Sequence, residues 1–211
     1  MLTLVPEPVE NYARHQTVKE TEVMIRLREA TYSQTELPQM LSGPLVGQTL
    51  RTLCHLSGPG LAIEVGTFTG YASLWIAGGL HPEGRLITMD INEASAAIAQ
   101  EHWNQDPLGA KIECKLGPAR DTLDQIDEPI QFAFIDADKA GYIDYYERII
   151  ERMPSGGVLV ADNVLWSGRV LEPSEPSDHA LRRFADHVAQ DDRVAQVMLT
   201  VRDGLLVCLK I

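Results

Sequence analysis

Asp136, Asp138 and Lys139 close one apolar run, 132–135, and Asp162-Asn163 close a second, 158–161. Each run has the length and β-propensity of a strand covered on both faces. Charges at the end of such a strand must be paired or must ligate a metal. Asp136 and Asp162 stand 26 residues apart, one strand-helix-strand step, so their strands can be neighbours separated by about 4.8 Å. Two carboxylates that close both stay charged only if a cation neutralises them. With the amide oxygen of Asn163 they make three hard donors, which suit Mg²⁺, with Ca²⁺ or Mn²⁺ as alternatives, and they leave positions open for a substrate. The plainer alternative is that Asp162 caps the following loop and Asp136 pairs with Lys139. Beside a bound cation the ammonium form of Lys139 is disfavoured, which makes Lys139 a candidate general base. Its plainer alternative is a surface ion pair with Asp138.

A second constellation lies earlier. Glu64-Val65-Gly66-Thr67-Phe68-Thr69-Gly70 joins an apolar strand to a helix. Its glycines let backbone approach a ligand closely. It lacks the GxGxxG spacing that seats a pyrophosphate, and Glu64 repels phosphate. A ligand with a ribose and a positive charge fits better, and Asp90 stands where an acid accepts both ribose hydroxyls. The alternative is a tight turn packing helix on strand.

Elsewhere the chemistry is sparse. The six histidines are dispersed, with no HxH or HxxxH pair, so no zinc site is expected. Cys54, Cys114 and Cys208 stand singly among apolar neighbours, which predicts buried free thiols in a reducing, cytoplasmic compartment. Trp75 and Trp103 read as core. Trp166 follows the metal candidates and either walls an aromatic substrate or packs in the core. Thirty acidic against 18 basic residues give a net charge of −12, a field that argues against nucleic acid or an anionic membrane as partner. The opening residues have neither a basic region nor a long apolar run, so no leader or membrane span is expected.

The elements that must position these groups follow from periodicity. Thr17-Val18-Lys19-Glu20 matches a capping box, with Val23, Met24 and Leu27 at helical spacing behind it. After a break at 38–44, Leu45, Thr49, Leu53 and Leu56 form a helical stripe. Strands are expected at 61–65, 85–90, 111–116, 132–135 and 158–161, with helices at 71–79 and 93–103. Asn92 caps the second of these helices, and its Ala94, Ala97 and Ile98 share a face. Ile143, Tyr146, Ile150 and Met153 mark one face of a later helix, opposite a solvated face of Asp144, Glu147, Arg148 and Glu151. Leu181, Phe184, Ala185 and Val188 mark another helix, and 194–201 with 205–210 form a hairpin. Alternating strands and helices imply a parallel sheet, with the hairpin adding an antiparallel strand. Ligands of such sheets lie at the strands' carboxyl ends, where Glu64, Asp90, Asp136 and Asp162 converge. The length suits one domain, 1–211, with a helical N-terminal segment, 1–56, before a core at 57–211.

Glu64-Val65-Gly66-Thr67-Phe68-Thr69-Gly70-Tyr71, Asp136-Ala137-Asp138-Lys139 and Asp162-Asn163-Val164-Leu165-Trp166-Ser167-Gly168, in this order and spacing, resemble the cation-dependent O-methyltransferases, the family of the caffeoyl-coenzyme A and catechol enzymes. The continuation Leu165-Trp166-Ser167-Gly168 is closer to the caffeoyl-coenzyme A branch. The resemblance implies an α/β, Rossmann-like class I methyltransferase fold, a seven-stranded mostly parallel sheet with an antiparallel last strand and helices on both faces. It also implies S-adenosylmethionine as methyl donor. Carried over by position, Glu64, Gly66 and Thr67 contact the donor's methionine part, Asp90 its ribose and Ala119 its adenine, Ser42 is a further donor contact, and Asp136 and Asp138 also hold it. Asp136, Asp162 and Asn163 bind the metal, Lys139 is the base, and Lys139, Asn163 and Trp166 face a phenolic substrate. A homodimer is implied as well. Two departures stand out. Ala72, followed by Ser73, occupies the place of the family's serine after the Gly-Tyr pair, and Ser167 replaces an asparagine that some members turn toward substrate. The expected reaction is methyl transfer to a hydroxyl of a vicinal dihydroxy aromatic. The rivals are an NAD-linked oxidoreductase on a similar sheet and an inactive module that only binds the methyl donor.

Overall fold

The computed structural model describes residues 5–211. Among them, seven strands form one sheet in the order β3-β2-β1-β4-β5-β7-β6. The strands are β1 (Leu61–Val65), β2 (Arg85–Asp90), β3 (Ile112–Leu116), β4 (Ile130–Ile135), β5 (Val158–Asp162), β6 (Val194–Leu199) and β7 (Leu205–Lys210). The first five pair in parallel. The antiparallel member is β7, which enters between β5 and β6. This is the sheet that the resemblance implies.

Every residue of β1 and of β5 is buried, as strands covered on both faces require. The helices that cover them are α1 (Glu7–Gln16), α2 (Glu22–Gln34), α3 (Gly43–Ser57), α4 (Tyr71–Gly79), α5 (Glu93–Trp103), the short α6 (Ala119–Leu123), α7 (Tyr142–Ile150) and α8 (Pro176–Ala189). Successive strand side chains point to opposite faces. Ile63 and Ile135 accordingly pack with Tyr146 and Ile149 of α7 and Phe184 of α8, and Ala62 and Phe134 pack with Leu50 of α3 and Ile76 of α4. A third cluster joins Met24 and Leu27 of α2 to Trp75 and Trp103. Among the described residues no helix is long and apolar enough to cross a membrane.

The boundaries differ from expectation mostly at the amino end. Thr17 caps no helix start; it follows the last turn of α1, and Thr21 caps α2 by accepting from the Met24 amide at 3.2 Å. The Thr-x-x-Glu pattern mimics the motif, but Glu20 instead takes the Arg28 guanidinium at 3.0 Å and the Tyr71 hydroxyl at 2.9 Å. Helix α1 has no strong apolar period and was not foreseen. The expected stripe of α3 is off by about one position: Val46, Leu50 and Cys54 face the core, while Leu56 is exposed. The same holds for α5, where Ala96, Ala99 and Trp103 are buried and Ala94 and Ala97 are exposed. Short side chains make such faces ambiguous from spacing alone. The polar face of α7 is not simply solvated. Glu147 accepts from the Arg193 guanidinium at 2.9 and 2.8 Å and lies 2.6 Å from His187 Nε2, and Asp144 takes Arg120 and Arg148. Trp75 and Trp103 are core, as are Cys54 and Cys208, but Cys114 is only half-buried.

Candidate active site

The sheet order reverses between β1 and β4, one strand leading away on each side, and in open α/β sheets this is where a crevice forms outside the carboxyl ends. Here it has a volume of about 1000 Å³. Its wall brings together most of the expected residues: Ser42, Gly66, Thr67, Ala72, Asp90 and Ala119, with Asp136, Asp138, Lys139, Asn163 and Trp166. Glu64, Ser73 and Asp162 do not line it and are buried.

The first half is built on a backbone contact. Gly66 has φ +102°, and a Cβ there would lie 2.1 Å from the Asp136 carbonyl oxygen. Only glycine lets the loop after β1 sit on the start of the loop after β4, where the Asp136 amide donates to Val65 O at 2.8 Å. A hydroxyl chain runs behind the loop. Thr88 Oγ1 donates to Glu64 Oε2 at 2.6 Å and meets Thr67 Oγ1 at 2.6 Å, and Ser73 Oγ donates to the same Glu64 oxygen. The hydroxyl of Ser73 is therefore turned to Glu64, and Ala72 alone of the pair faces the crevice. Burial pushes the Glu64 carboxyl up to about 8 against the two hydroxyl bonds, with the fields of Asp136 and Asp90 adding to it. Its Oε1 has no partner among the described residues. Asp90 accepts from the Phe68 amide at 2.7 Å on one oxygen and from the Asn92 amide at 2.9 Å on the other. Each oxygen keeps acceptor capacity, so the two hydroxyls of a ribose can still be met. At Gly117, φ +130°, a Cβ would find open space within the lining, next to Ala119. An acidic ribose partner, a backbone floor and an open cradle fit a nucleoside carrying a positive charge.

The second half is a charge cluster. The register Ile135↔Ala161 sets Asp136 and Asp162 at the ends of adjacent strands, as expected. Lys139 Nζ donates to Asp136 Oδ1 at 3.1 Å, to Asn163 Oδ1 at 2.9 Å and to the Tyr142 hydroxyl at 2.6 Å. The pairing of Lys139 with Asp138 is not found; Asp138 takes the Tyr145 hydroxyl at 2.6 Å instead. Asp162 is 4% exposed, and burial together with the facing Asp136 pushes its carboxyl up, although the Asn163 amide donates to it at 2.6 Å. Among the described residues no three His, Cys, Asp or Glu side chains cluster closely enough to hold a metal ion. The donor set of Asp136, Asp162 and Asn163 contains two carboxylates and an amide oxygen. It fits a hard divalent ion in donor chemistry, and its excess negative charge, met by one ammonium, is what such an ion would neutralise.

Asn163, Trp166 and Ser167 have φ of 59°, 46° and 55°, a run of left-handed non-glycine residues that persists only where the surroundings over-determine it. The β6–β7 turn does this. Asp203 Oδ1 accepts from the Ser167 amide at 2.5 Å, Asp203 O from the Leu165 amide at 2.9 Å and Gly204 O from the Val164 amide at 3.3 Å. Trp166 is thereby held beside Lys139, whose Nζ lies 5.3 Å from the indole centroid, with the Arg169 guanidinium 4.9 Å over the ring.

Sequence reasoning missed Tyr142, Tyr145, Thr88 and Asp203. Tyr142 is fully buried, accepts from Lys139 and donates to Asp162 O at 3.1 Å. Its one sequence signal is its place three residues after Lys139; Thr88 and Asp203 reach the site across the sheet and carry none.

The family model described as O-methyltransferase matches residues 14–211. The chain is 35% identical over 207 residues to caffeoyl-CoA O-methyltransferase 2 of Populus trichocarpa, covering 92% of this chain and 83% of that protein. It is 32% identical over 209 residues to a probable caffeoyl-CoA O-methyltransferase 1 of Dictyostelium discoideum, covering 95% and 91%. Among solved structures, the O-methyltransferase from Bacillus cereus in complex with SAH superposes with a TM-score of 0.87 at 29% identity, over 96% of this chain and 97% of that one. The O-methyltransferase TomG from Streptomyces achromogenes in complex with SAM superposes with a TM-score of 0.89 at 27% identity, over 100% and 99%. A Rossmann-like sheet of seven strands, a crevice at its switch point and a match along almost the whole chain together place this protein in the O-methyltransferase family.

Proposed function

We propose that the chain transfers a methyl group from S-adenosylmethionine to one hydroxyl of a vicinal dihydroxy aromatic, with a divalent ion, Mg²⁺ first, held by Asp136, Asp162 and Asn163. The observation that carries the reading is the ammonium of Lys139 set between Asp136, Asn163 and Tyr142 on the wall of the crevice that also holds Asp90 and Gly66. A bound divalent ion would supply charge that lowers the pKa of a coordinated hydroxyl and fixes its direction.

The chain's own residues supply the rest. Asp90 accepts the donor's ribose hydroxyls, Gly66 and Thr67 form the floor under its methionine part, and Ala119 lies by the adenine. Asp138 is oriented by Tyr145 on the same wall. Lys139 in its neutral form accepts the hydroxyl proton at Nζ, and the three contacts seen around Nζ stabilise the resulting ammonium. Trp166 provides a flat apolar wall for the ring. Holding both reactants in one crevice converts a bimolecular encounter into an oriented one, which is where most of the rate arises. Two buried free thiols suit a reducing cytoplasmic setting, and a homodimer is the proposed assembly.

The test is methyl transfer to a simple catechol with and without EDTA, repeated with Asp162→Ala. Activity that requires added Mg²⁺ and is lost in the variant supports the reading. Activity and metal response unchanged in Asp162→Ala would overturn the ligand assignment.

A further inference from the structure

We propose that Arg202 is a positioning residue for the methyl transfer: its guanidinium ties the segment before α3 to the β6–β7 turn, and so to the loop after β5, which keeps donor and acceptor in register. This rests on the methyl-transfer reading above and adds a residue to it. Arg202 is not part of the crevice wall; it acts through the backbone it holds. Its Nη1 donates to Ser42 O at 2.6 Å and to Leu41 O at 3.3 Å, and both of those residues line the crevice. The next two residues of the turn accept from the other rim segment. Asp203 takes the amides of Ser167 and Leu165, and Gly204 O takes that of Val164. That loop carries Asn163 and Trp166, which also line the crevice. Three consecutive residues, 202–204, therefore join the segment read as a donor contact to the segment read as the acceptor's wall.

Local stability does not account for an arginine here. Arg202 has φ +49°, left-handed backbone that glycine adopts freely and that strains a residue with a side chain. Its charge lies at the start of α3, where the helix dipole is positive and disfavours a cation. The two carbonyl bonds offset these costs, and an ionised donor makes them stronger than neutral ones. Gly43 leaves the room they need: it has φ +78°, and a Cβ there would lie 2.5 Å from Arg202 Nη1. The consequence for the reaction is geometric. Asp90 and Gly66 still meet the donor, and Asn163 and Trp166 still meet the acceptor, when the tie is cut. Transfer needs the reacting atoms aligned, and a misplacement of about 1 Å costs on the order of 10²-fold.

The experiment compares Arg202→Ala, Arg202→Gly and Arg202→Lys with the unaltered protein in steady-state methyl transfer to catechol, in thermal melting, and in amide exchange and calorimetry with S-adenosylhomocysteine. The glycine variant separates side chain from backbone, because it removes the guanidinium and also relieves the left-handed strain. The expected result is a kcat lower by about tenfold or more in both the alanine and the glycine variants, with KM and S-adenosylhomocysteine affinity changed less than about threefold. The glycine variant should nevertheless melt above the alanine variant, and the lysine variant should recover part of kcat. Exchange at residues 41–46 should quicken in Arg202→Gly while 163–168 stay protected by Asp203. A glycine variant with the kcat of the unaltered protein, a loss confined to KM or donor affinity, or unchanged exchange at 41–46 would each overturn the proposal and leave methyl transfer standing. An unaltered protein that binds S-adenosylhomocysteine yet methylates no catechol overturns the parent reading and this one together.

Discussion

At the scale of single residues the site sets a buried carboxyl behind a lysine ringed by acceptors. Glu64 is fully buried with one oxygen unpartnered, and its carboxyl titrates near 8 rather than 4.5. Because the folded value lies above the unfolded one, the stabilising contribution is complete below about 4.5 and is lost as pH rises through about 8. The ligand-free protein is therefore expected to lose stability, by up to a few kcal/mol, between these values. Glu64→Gln, which keeps the shape of the neutral acid, should flatten that dependence; identical melting-temperature profiles for the two proteins across this window would refute it. Lys139 is the proposed base. Lys139→Met should lower kcat by about 10²–10⁴-fold with a smaller change in KM, as removal of a general base does. Tyr142→Phe removes one of its three partners and should cost less, about tenfold. A KM-only effect of Lys139→Met, in steady-state kinetics with a catechol, would argue that the lysine only binds. Asp136, Asp162 and Lys139 were legible in the sequence because a charge at the end of an apolar run is conspicuous. Tyr142 was not, because a tyrosine in a helix reads as core.

At the scale of elements, the loop after β5 is shaped by a turn far along the chain. Three bonds from Asp203 and Gly204 pin residues 164–167 in backbone that includes left-handed Trp166 and Ser167. Asp203→Ala removes a charge-assisted bond worth about 1–3 kcal/mol. It is expected to speed amide exchange at residues 163–168 and to lower kcat/KM while the donor binds normally. Unchanged exchange in that segment would show that the turn is not what holds it. Gly204→Ala should be worse, since a Cβ there would lie 2.5 Å from Leu165 Cγ on a residue with φ +90°. The elements themselves were readable wherever an apolar run ended in glycine, proline or a cap. They were misread where alanine and threonine dilute the period, as on α3 and α5.

At the scale of the whole molecule helix α2 belongs to the site. Helix α2 packs Leu27 against the cluster of Trp75 and Trp103, and Thr31 Oγ1 meets Thr69 Oγ1 at 2.8 Å in the loop that follows β1. The helix then leads through Gln34 and Thr35 onto the crevice rim. Leu27→Ala should destabilise by about 2–5 kcal/mol, the range for truncating a buried leucine. It should also weaken donor binding, because the rim loses its support. Calorimetric affinity equal to that of the unaltered protein would separate the helix from the site.

The chain by itself determined the alternation of strands and helices, the acids at the strand ends and the family to which they belong, since these depend on local patterns and on motif spacing. The tertiary structure decided which hydroxyl serves which acid. Ser73 turns to Glu64 rather than to the crevice, Lys139 reaches Asn163 at the end of the neighbouring strand, and Asp203 reaches the loop after β5. These pairings join residues on different strands or across a turn. Their partners are set by sheet order and register, which place distant positions within hydrogen-bond reach and leave no trace in their spacing along the chain.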